Sequence, residues 1–400
     1  MANVFEELSE RGLVKQTVFG EELKETLGKE KVVCYMGFDP TAPSLHIGSL
    51  VAILFLVRMQ KAGHTPIVLV GGATGSIGDP SFRNDMRPMM TEEKRHENVE
   101  KVKKQLESFF DKNSPNKVII VNNEDWIKNV TWLEMLQVVG LNMSVNRMLN
   151  FECFKKRMET GLSFLEFNYM PMQAYDFWYL NQKYGCTLEL GGDDQWANIL
   201  AGVELIRKKE NKPVFAMTLP LLTKADGTKM GKSAGGAVWL DGNMYPDYDF
   251  YQYFRDIEDC KVEEMFKVLT FLPLSEIKEI CNVKGKEFNK AKERLAFEVT
   301  KIVRGEKSAI EAQNKSIAAF VNTNIDEMPA ITIEKKDTTS ILDILIATKD
   351  AKSRGEAKRL VDGKGIKIDD ILVENYDFST DKTEFVLRKG KKSIVKVIVK

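Results

Sequence analysis

The sequence predicts an α/β protein whose first part is a parallel-sheet domain, followed by a helical domain and a small α+β domain. Three observations carry this. Strand-like runs at 31–38 and 65–70 flank an apolar helical run at 47–61, with proline- or glycine-containing turns between them. From about 245 to 321 the chain turns helical and charged and loses its glycine-rich strand-to-helix turns. After a polar, proline-containing stretch at 322–339, the tail reads as two short helices, a DGKG turn and strands.

Taken in order, KVVCYMGF (31–38) reads as a buried strand, and TPIVLV (65–70) as a second one leading into the loop GGATGSIGDP. Parallel sheets bind ligands at the carboxyl ends of their strands. Residues 94–110 look helical with charge on one face, 117–121 look like a strand, and 126–150 mix helix and turn. TLEL (187–190) is a strand, followed by GGDDQW and a helix to about 208. These signals place domain boundaries at 1–240, 241–325 and 338–400, with 322–339 as a linker. The tail carries Lys349, Lys352, Arg354, Lys358 and Arg359 close together, and Arg388, Lys389, Lys391 and Lys392 precede its last strand.

Composition narrows the class. The 58 basic and 58 acidic residues cancel, so net charge gives no hint of nucleic acid, although a basic face could be offset elsewhere. Five scattered cysteines without a CxxC pair argue against disulfides and zinc knuckles, and three histidines argue against a His-rich metal site. The N-terminus lacks a signal-type apolar stretch, and the longest apolar run, at 50–57, is too short to span a bilayer. The expectation is a cytoplasmic protein acting neither at a membrane nor on DNA.

Four segments carry chemistry. In GFDPTAPSLHIGSL (37–50), Gly37 and Gly48 allow backbone to approach a nucleotide. Thr41 and His46 offer donors to its phosphates, and the helix starting near Ile47 adds amide N–H groups. The same segment also reads as an ordinary strand-to-helix connection. In LLTKADGTKMGKS (221–233), Lys229, Lys232 and Ser233 lie on a glycine-softened loop that could close over a polyphosphate; alone, it also reads as a solvated basic loop. In EFNYMPMQAYDFWYL (166–180), the spacing puts Gln173, Asp176 and Tyr169 on one helix face among apolar neighbours, which suggests a pocket. Pro171 disfavours a helical Met170 and so places Tyr169 just outside the regular helix. In GGDDQW, Gly191 and Gly192 permit close approach and Asp194 could accept from a ribose hydroxyl; a capped helix start explains one aspartate equally well.

Together the histidine motif and the lysine loop resemble the paired signatures of class I aminoacyl-tRNA synthetases. YMGFDPTAPSLHIG, VGGATGSIGDP, YMPMQAYDF, GGDDQWANI and TKADGTKMGKS extend the likeness over nearly the whole chain, to the bacterial-type tyrosyl-tRNA synthetases, and the tail resembles their S4-like RNA-binding domain. The resemblance implies a Rossmann-like catalytic domain with a dimer-interface insertion around 126–147, a helical anticodon-recognition domain, and a homodimer. It implies L-tyrosine, ATP with Mg²⁺ on its phosphates, and the tRNA for tyrosine as substrates, with no resident metal. By the same likeness, Tyr35 and Asp176 hold the substrate phenol, while Asp79, Tyr169 and Gln173 hold its ammonium group. Asp194 and Gln195 belong to the ribose and tyrosine side, Asp39 to the adenylate pocket, and Arg83 and Arg87 to a stretch that meets pyrophosphate. Three positions depart from the family pattern. Ser49 replaces the second signature histidine, which implies rebalanced rather than lost catalysis. Gly231 stands where the class often has serine, and Glu189 where many relatives have glutamine. The competing readings are a tryptophanyl-tRNA synthetase, against which Tyr35, Asp176 and the tail argue, and a non-catalytic RNA-binding relative.

Overall fold

A computed structural model describes residues 3–81, 90–233, 236–319, 328–390 and 393–400, with Lys156, Lys232 and Ser233 described by backbone alone. The chain forms two compact units, Met1–Tyr245 with Ile257–Leu295, and Pro246–Asp256 with Ala296–Lys400.

The first unit is built on a six-stranded sheet of β1 (Gln16–Val18), β2 (Val33–Phe38), β3 (Thr65–Val70), β4 (Ile119–Asn122), β5 (Leu188–Gly192) and β6 (Phe215–Leu219). Its order is β1-β6-β5-β2-β3-β4, parallel throughout except for the short edge strand β1. All six residues of β3 are buried, as expected for a parallel strand covered on both faces. The expected strands thus appear within a few residues of their predicted positions. β1 and β6 were not among the expected strands; β1 is only three residues long and β6 five.

The helix Ile47–Lys61 begins where the sequence suggests, with His46 at its N-cap accepting from the Gly48 amide at 3.0 Å. Apolar residues surround its axis, so it is buried almost all round. Its polar exceptions are spent on backbone. Gln60 donates to the Asp111 and Asn116 carbonyls and accepts from the Asp111 amide. Arg58, 2 % exposed, donates to the carbonyls of Lys267, Val268 and Thr270 at the end of the helix Val262–Leu269, with Phe271 stacked 4.8 Å from its guanidinium. A cation at those free carbonyls also suits the helix dipole.

The helix at 169 corrects one expectation. It spans Tyr169–Tyr184, so Tyr169 lies inside it and Pro171 falls in its first turn. There a missing N–H costs nothing, because first-turn amides have no intrahelical partner. Between β4 and this helix run short helices, among which Arg157 holds Glu166 through two bonds of 3.0 and 2.9 Å.

In the second unit, Asp247–Arg255 packs beside Glu306–Ile317, with Gln252 donating to Ser316 at 3.1 Å. The tail has the two expected helices, Ile341–Ala347 and Arg354–Asp362, over a five-stranded sheet. Ile341, Leu345, Ala357, Ile366, Leu387 and Val397 form its core. The stretch expected to be a linker is partly built into that sheet: Ala330–Ile333 pairs in parallel with Ser393–Val399. Its β-branched residues outweigh its polar composition. Among the described residues no helix is long and apolar enough to cross a membrane.

Arg58→Ala should destabilise the first unit by about 2–4 kcal/mol, because it strips charged donors from buried carbonyls. Urea unfolding followed by tryptophan fluorescence measures this, and a shift no larger than that of a surface Lys→Ala control would refute the anchoring role.

Candidate active site

In the strand order, β2 has β3 on one side and β5 on the other, so the chain winds outward in both directions from this pair. A crevice forms where such a sheet reverses direction, outside the carboxyl ends of its strands. A cleft of about 460 Å³ lies there.

One wall carries the nucleotide-type segment. Gly37, Asp39, Thr41, His46, Gly48 and Ser49 all line the cleft. The His46 ring lies 6.3 Å from that of Trp239, whose backbone bridges to His46. Ser49 points its amide at the His46 carbonyl, 2.8 Å away. Asp39 is fixed from two sides, accepting from Thr74 Oγ1 at 2.8 Å and from Tyr169 Oη at 2.9 Å. This arrangement explains the first two glycines of the VGGATGSIGDP segment. A Cβ on Gly71 would lie 2.1 Å from Asp39 Oδ1, and one on Gly72 would lie 2.2 Å from Asn122 Oδ1.

The lysine loop reaches the opposite rim. Lys229 Nζ bonds Asp194 Oδ2 at 3.0 Å, while Gly192 and Gln195 line the cleft beside it. Gln195 donates to Asp79 Oδ2 at 2.6 Å. Gly231 adopts φ 115°, and a Cβ there would stand 3.4 Å from His46 Nδ1. A glycine in place of the usual serine therefore has a backbone cause. The backbone of Lys232 and Ser233 pairs with Ala237 and Gly236 in a short hairpin. Arg83 and Arg87 lie outside the described residues.

Two buried acids lie at the base of the cleft, Asp176 in its lining and Glu189 behind Tyr35 and Gln173. Asp176 is 2 % exposed and accepts from Asn123 Nδ2 at 2.9 Å and from Trp126 Nε1 at 2.7 Å, one donor on each oxygen. Glu189 is 1 % exposed. Tyr35 Oη donates to its Oε1 at 2.6 Å and Gln173 Nε2 to the same atom at 3.0 Å, while its buried Oε2 has no partner among the described residues. Burial pushes the Asp176 carboxyl up to about 7 against the pull of its two donors. Burial likewise pushes Glu189 up to about 8 despite Tyr35 and Gln173, with the nearby Asp176 adding to the rise. Burial, then Glu189, drives the Tyr35 phenol well above its ordinary value.

The structure thus gathers into one cleft every predicted residue whose side chain it describes. Within it, Tyr169 donates to Asp39 and Gln173 donates to Glu189. Sequence reasoning missed Asn123, Trp126 and Thr74. Trp126 opens the segment expected at a subunit interface, yet it is 6 % exposed and serves Asp176. Asn123 directly follows β4, and the rule that strand carboxyl ends face the site could have found it.

The Glu189 carboxyl binds its proton more tightly in the fold than in the unfolded chain, where it titrates near 4.5. Its contribution to stability is therefore complete below that value and is lost as pH rises through about 8. Glu189→Gln should flatten the fall in stability between pH 5 and 9 by about 2–4 kcal/mol. Denaturation midpoints at both pH values test this, and an unchanged slope would count against a buried neutral acid.

Comparison with known proteins gives a consistent result. The family described as tRNA synthetases class I (W and Y) matches residues 27–321, and the tyrosine–tRNA ligase SYY-like C-terminal domain matches residues 321–397. The chain is 50% identical over 407 residues to tyrosine–tRNA ligase 1 of Clostridium acetobutylicum, covering 100% of both chains. It is also 50% identical over 403 residues to the tyrosine–tRNA ligase of Fusobacterium nucleatum, covering 100% of this chain and 99% of that one. Among solved structures, a C-terminally truncated mitochondrial tyrosyl-tRNA synthetase from Aspergillus nidulans superposes with a TM-score of 0.71 at 29% identity, covering 78% of this chain and 93% of that one. With a phenol-lined acidic floor beneath a nucleotide-type rim, and relatives of full length, this chain belongs to the class I tyrosyl-tRNA synthetases.

Proposed function

We infer that this chain activates L-tyrosine with ATP, giving tyrosyl-adenylate and pyrophosphate, and then transfers the tyrosyl group to the terminal ribose of the tRNA for tyrosine. The observation that carries the reading is the buried Tyr35 and Asp176 pair at the base of the cleft that His46 and Lys229 overlook. A phenol fits this floor because its hydroxyl meets polar groups, which an unsubstituted ring would leave unpaired at a cost. The ammonium group falls to Asp79, Tyr169 and Gln173, the ribose to Asp194, and Gln195 serves the tyrosine side.

The tyrosine carboxylate is already a nucleophile at neutral pH, so attack on the α-phosphate needs no general base. The protein's work is alignment and stabilisation of phosphate charge, which falls to His46, Thr41, Lys229 and Lys232. Arg83 and Arg87 are assigned to the departing pyrophosphate. Ser49 can still donate a hydrogen bond where relatives use an imidazole, at shorter reach. ATP enters as its magnesium complex. Among the described residues the one carboxylate–imidazole group close enough to share a cation is Glu92, His96 and Glu124, and Arg95 and Lys128 already bond Glu124. We take the ion to be held largely by phosphate oxygens and water.

The domain plan follows the same reading: a catalytic domain at 1–240, an anticodon-recognition domain at 241–325 and an S4-like domain at 338–400. Lys349, Lys352, Lys358 and Arg359 are exposed on the last of these and suit an RNA backbone. A homodimer is supported by exposed Trp132, Leu133, Leu136, Leu141, Val145 and Phe164, an apolar set unusual for a free surface. We place the reaction in the cytoplasm, in keeping with the bacterial relatives.

Two outcomes are expected. Exchange of labelled pyrophosphate into ATP, with the twenty amino acids offered singly, should occur with tyrosine; folded protein that exchanges with none would defeat the reading. Asp176→Ala should lower kcat/KM for tyrosine by at least about 100-fold while changing ATP affinity less than about threefold, since a charged hydrogen bond is lost only on the tyrosine side. Equal loss of both in a folded variant would remove Asp176 from the phenol site.

A further inference from the structure

Tyr35 and Glu189 are direct partners across the β2–β5 ladder, so their side chains rise from the same face of the sheet. The 2.6 Å separation of Tyr35 Oη and Glu189 Oε1 suits an O–H···O bond with the proton on either atom. Two facts favour the proton on Glu189. The residue is 1 % exposed, and no lysine or arginine bonds it among the described residues. Its Oε2 also lacks a donor among the described residues, a costly state for a carboxylate oxygen and a milder one for an acid carbonyl. Oε1–H can then donate to Tyr35 while still accepting from Gln173 Nε2.

The direction of that bond decides what Tyr35 offers the cleft. If Glu189 donates to Tyr35 Oη, the Tyr35 proton is free to point at a ligand oxygen. If Glu189 is ionised, the only proton of Tyr35 is drawn onto Oε1 and Tyr35 presents lone pairs alone. Asp176 differs, because its two donors, Asn123 and Trp126, support the charged form. A substrate phenol seated here donates to Asp176 and needs a donor for its own oxygen.

We propose that Glu189 is a positioning residue: as a neutral acid it turns the Tyr35 hydroxyl toward the substrate phenol, and on ionising it withdraws that donor, so that tyrosine affinity falls in alkaline solution. This rests on the tyrosine-activating reading. The chain Glu189–Tyr35–substrate–Asp176 then runs donor to acceptor in one direction, with no proton transferred. The groups facing Glu189 are Tyr35 of β2, Gln173 and Asp176 of the helix Tyr169–Tyr184, and Cys186, two residues before its own strand, which has Cys34 near it in turn; β6 places Ala216 opposite, and the helix Trp196–Glu210 brings Gly202 against Glu189. Burial lifts Cys34 to about 12, and Tyr35 and Cys186 well above their ordinary values, so between pH 7 and 9 the titrating neighbour is Asp176. Asp176, lifted to about 7, passes from half ionised to fully ionised over that range and only improves as an acceptor for the phenol, a change common to all three proteins.

The test is kcat/KM for tyrosine in ATP–pyrophosphate exchange from pH 7 to 9, comparing the full-length wild type with Glu189→Gln and Tyr35→Phe. The amino group of the substrate titrates identically for all three, so ratios isolate the enzyme. Relative to Glu189→Gln, whose amide cannot ionise, the wild type should fall by about tenfold, mostly in KM. Tyr35→Phe, which has no hydroxyl to turn, should track Glu189→Gln in pH dependence whatever its absolute rate. Parallel wild-type and Glu189→Gln profiles overturn the proposal, as does a Tyr35→Phe profile that keeps the alkaline fall. If Glu189→Gln does not fold, the wild-type to Tyr35→Phe ratio decides by the same criterion. Exchange with tyrosine but a flat wild-type profile sinks this inference alone; absence of exchange at every pH sinks the activity reading and this inference with it.

Discussion

The pairing of β2 with β5 is the constraint on which the site depends. It matches Cys34 with Leu188 and Tyr35 with Glu189, residues from distant parts of the chain. Side chains alternate across a strand, so a slip of one residue in this register would turn Tyr35 and Glu189 to opposite faces. The same pairing sets the carboxyl ends of both strands side by side, with Asp39 beyond one and Asp194 beyond the other. The cleft is therefore a product of sheet order before it is a product of any single side chain.

Burying two acids at the base of one cleft is costly unless hydrogen bonds or protons offset it. The fold uses both remedies. Asp176 has a donor for each oxygen, while Glu189, among the described residues, has two donors on one oxygen and none on the other. Their neighbours do double duty, since Tyr35 and Gln173 line the cleft while satisfying Glu189. Arg58 shows the same economy behind the site, where one side chain ties the His46-capped helix to the end of another.

Much of this was legible in the sequence because it is local. The helix Ile47–Lys61 follows from an apolar run bounded by His46 and Gly63, and β3 from six consecutive buried residues. The cleft-lining residues lay in motifs whose glycines and charges serve no ordinary packing purpose. The donors to Asp176 were not legible, because Asn123 and Trp126 follow β4 and sit some fifty residues away in sequence. The Tyr169–Asp39 and Gln173–Glu189 bonds were not legible for the same reason, since they depend on how the helix Tyr169–Tyr184 lies on the sheet. Tyr169 was also placed outside its helix by a rule about proline that relaxes in a first turn.

Gly71 and Gly72 leave no room for even one carbon, since Asp39 and Asn122 already occupy that space. A side chain at either position would have to push Asp39 or Asn122 aside, whereas Ser49, Ala52 and Trp239 face open volume in the cleft. Evolution or engineering that reshapes this pocket is channelled accordingly. New substrate preferences can be written at the open positions, while the glycine pair keeps the seats of Asp39 and Asn122 behind them.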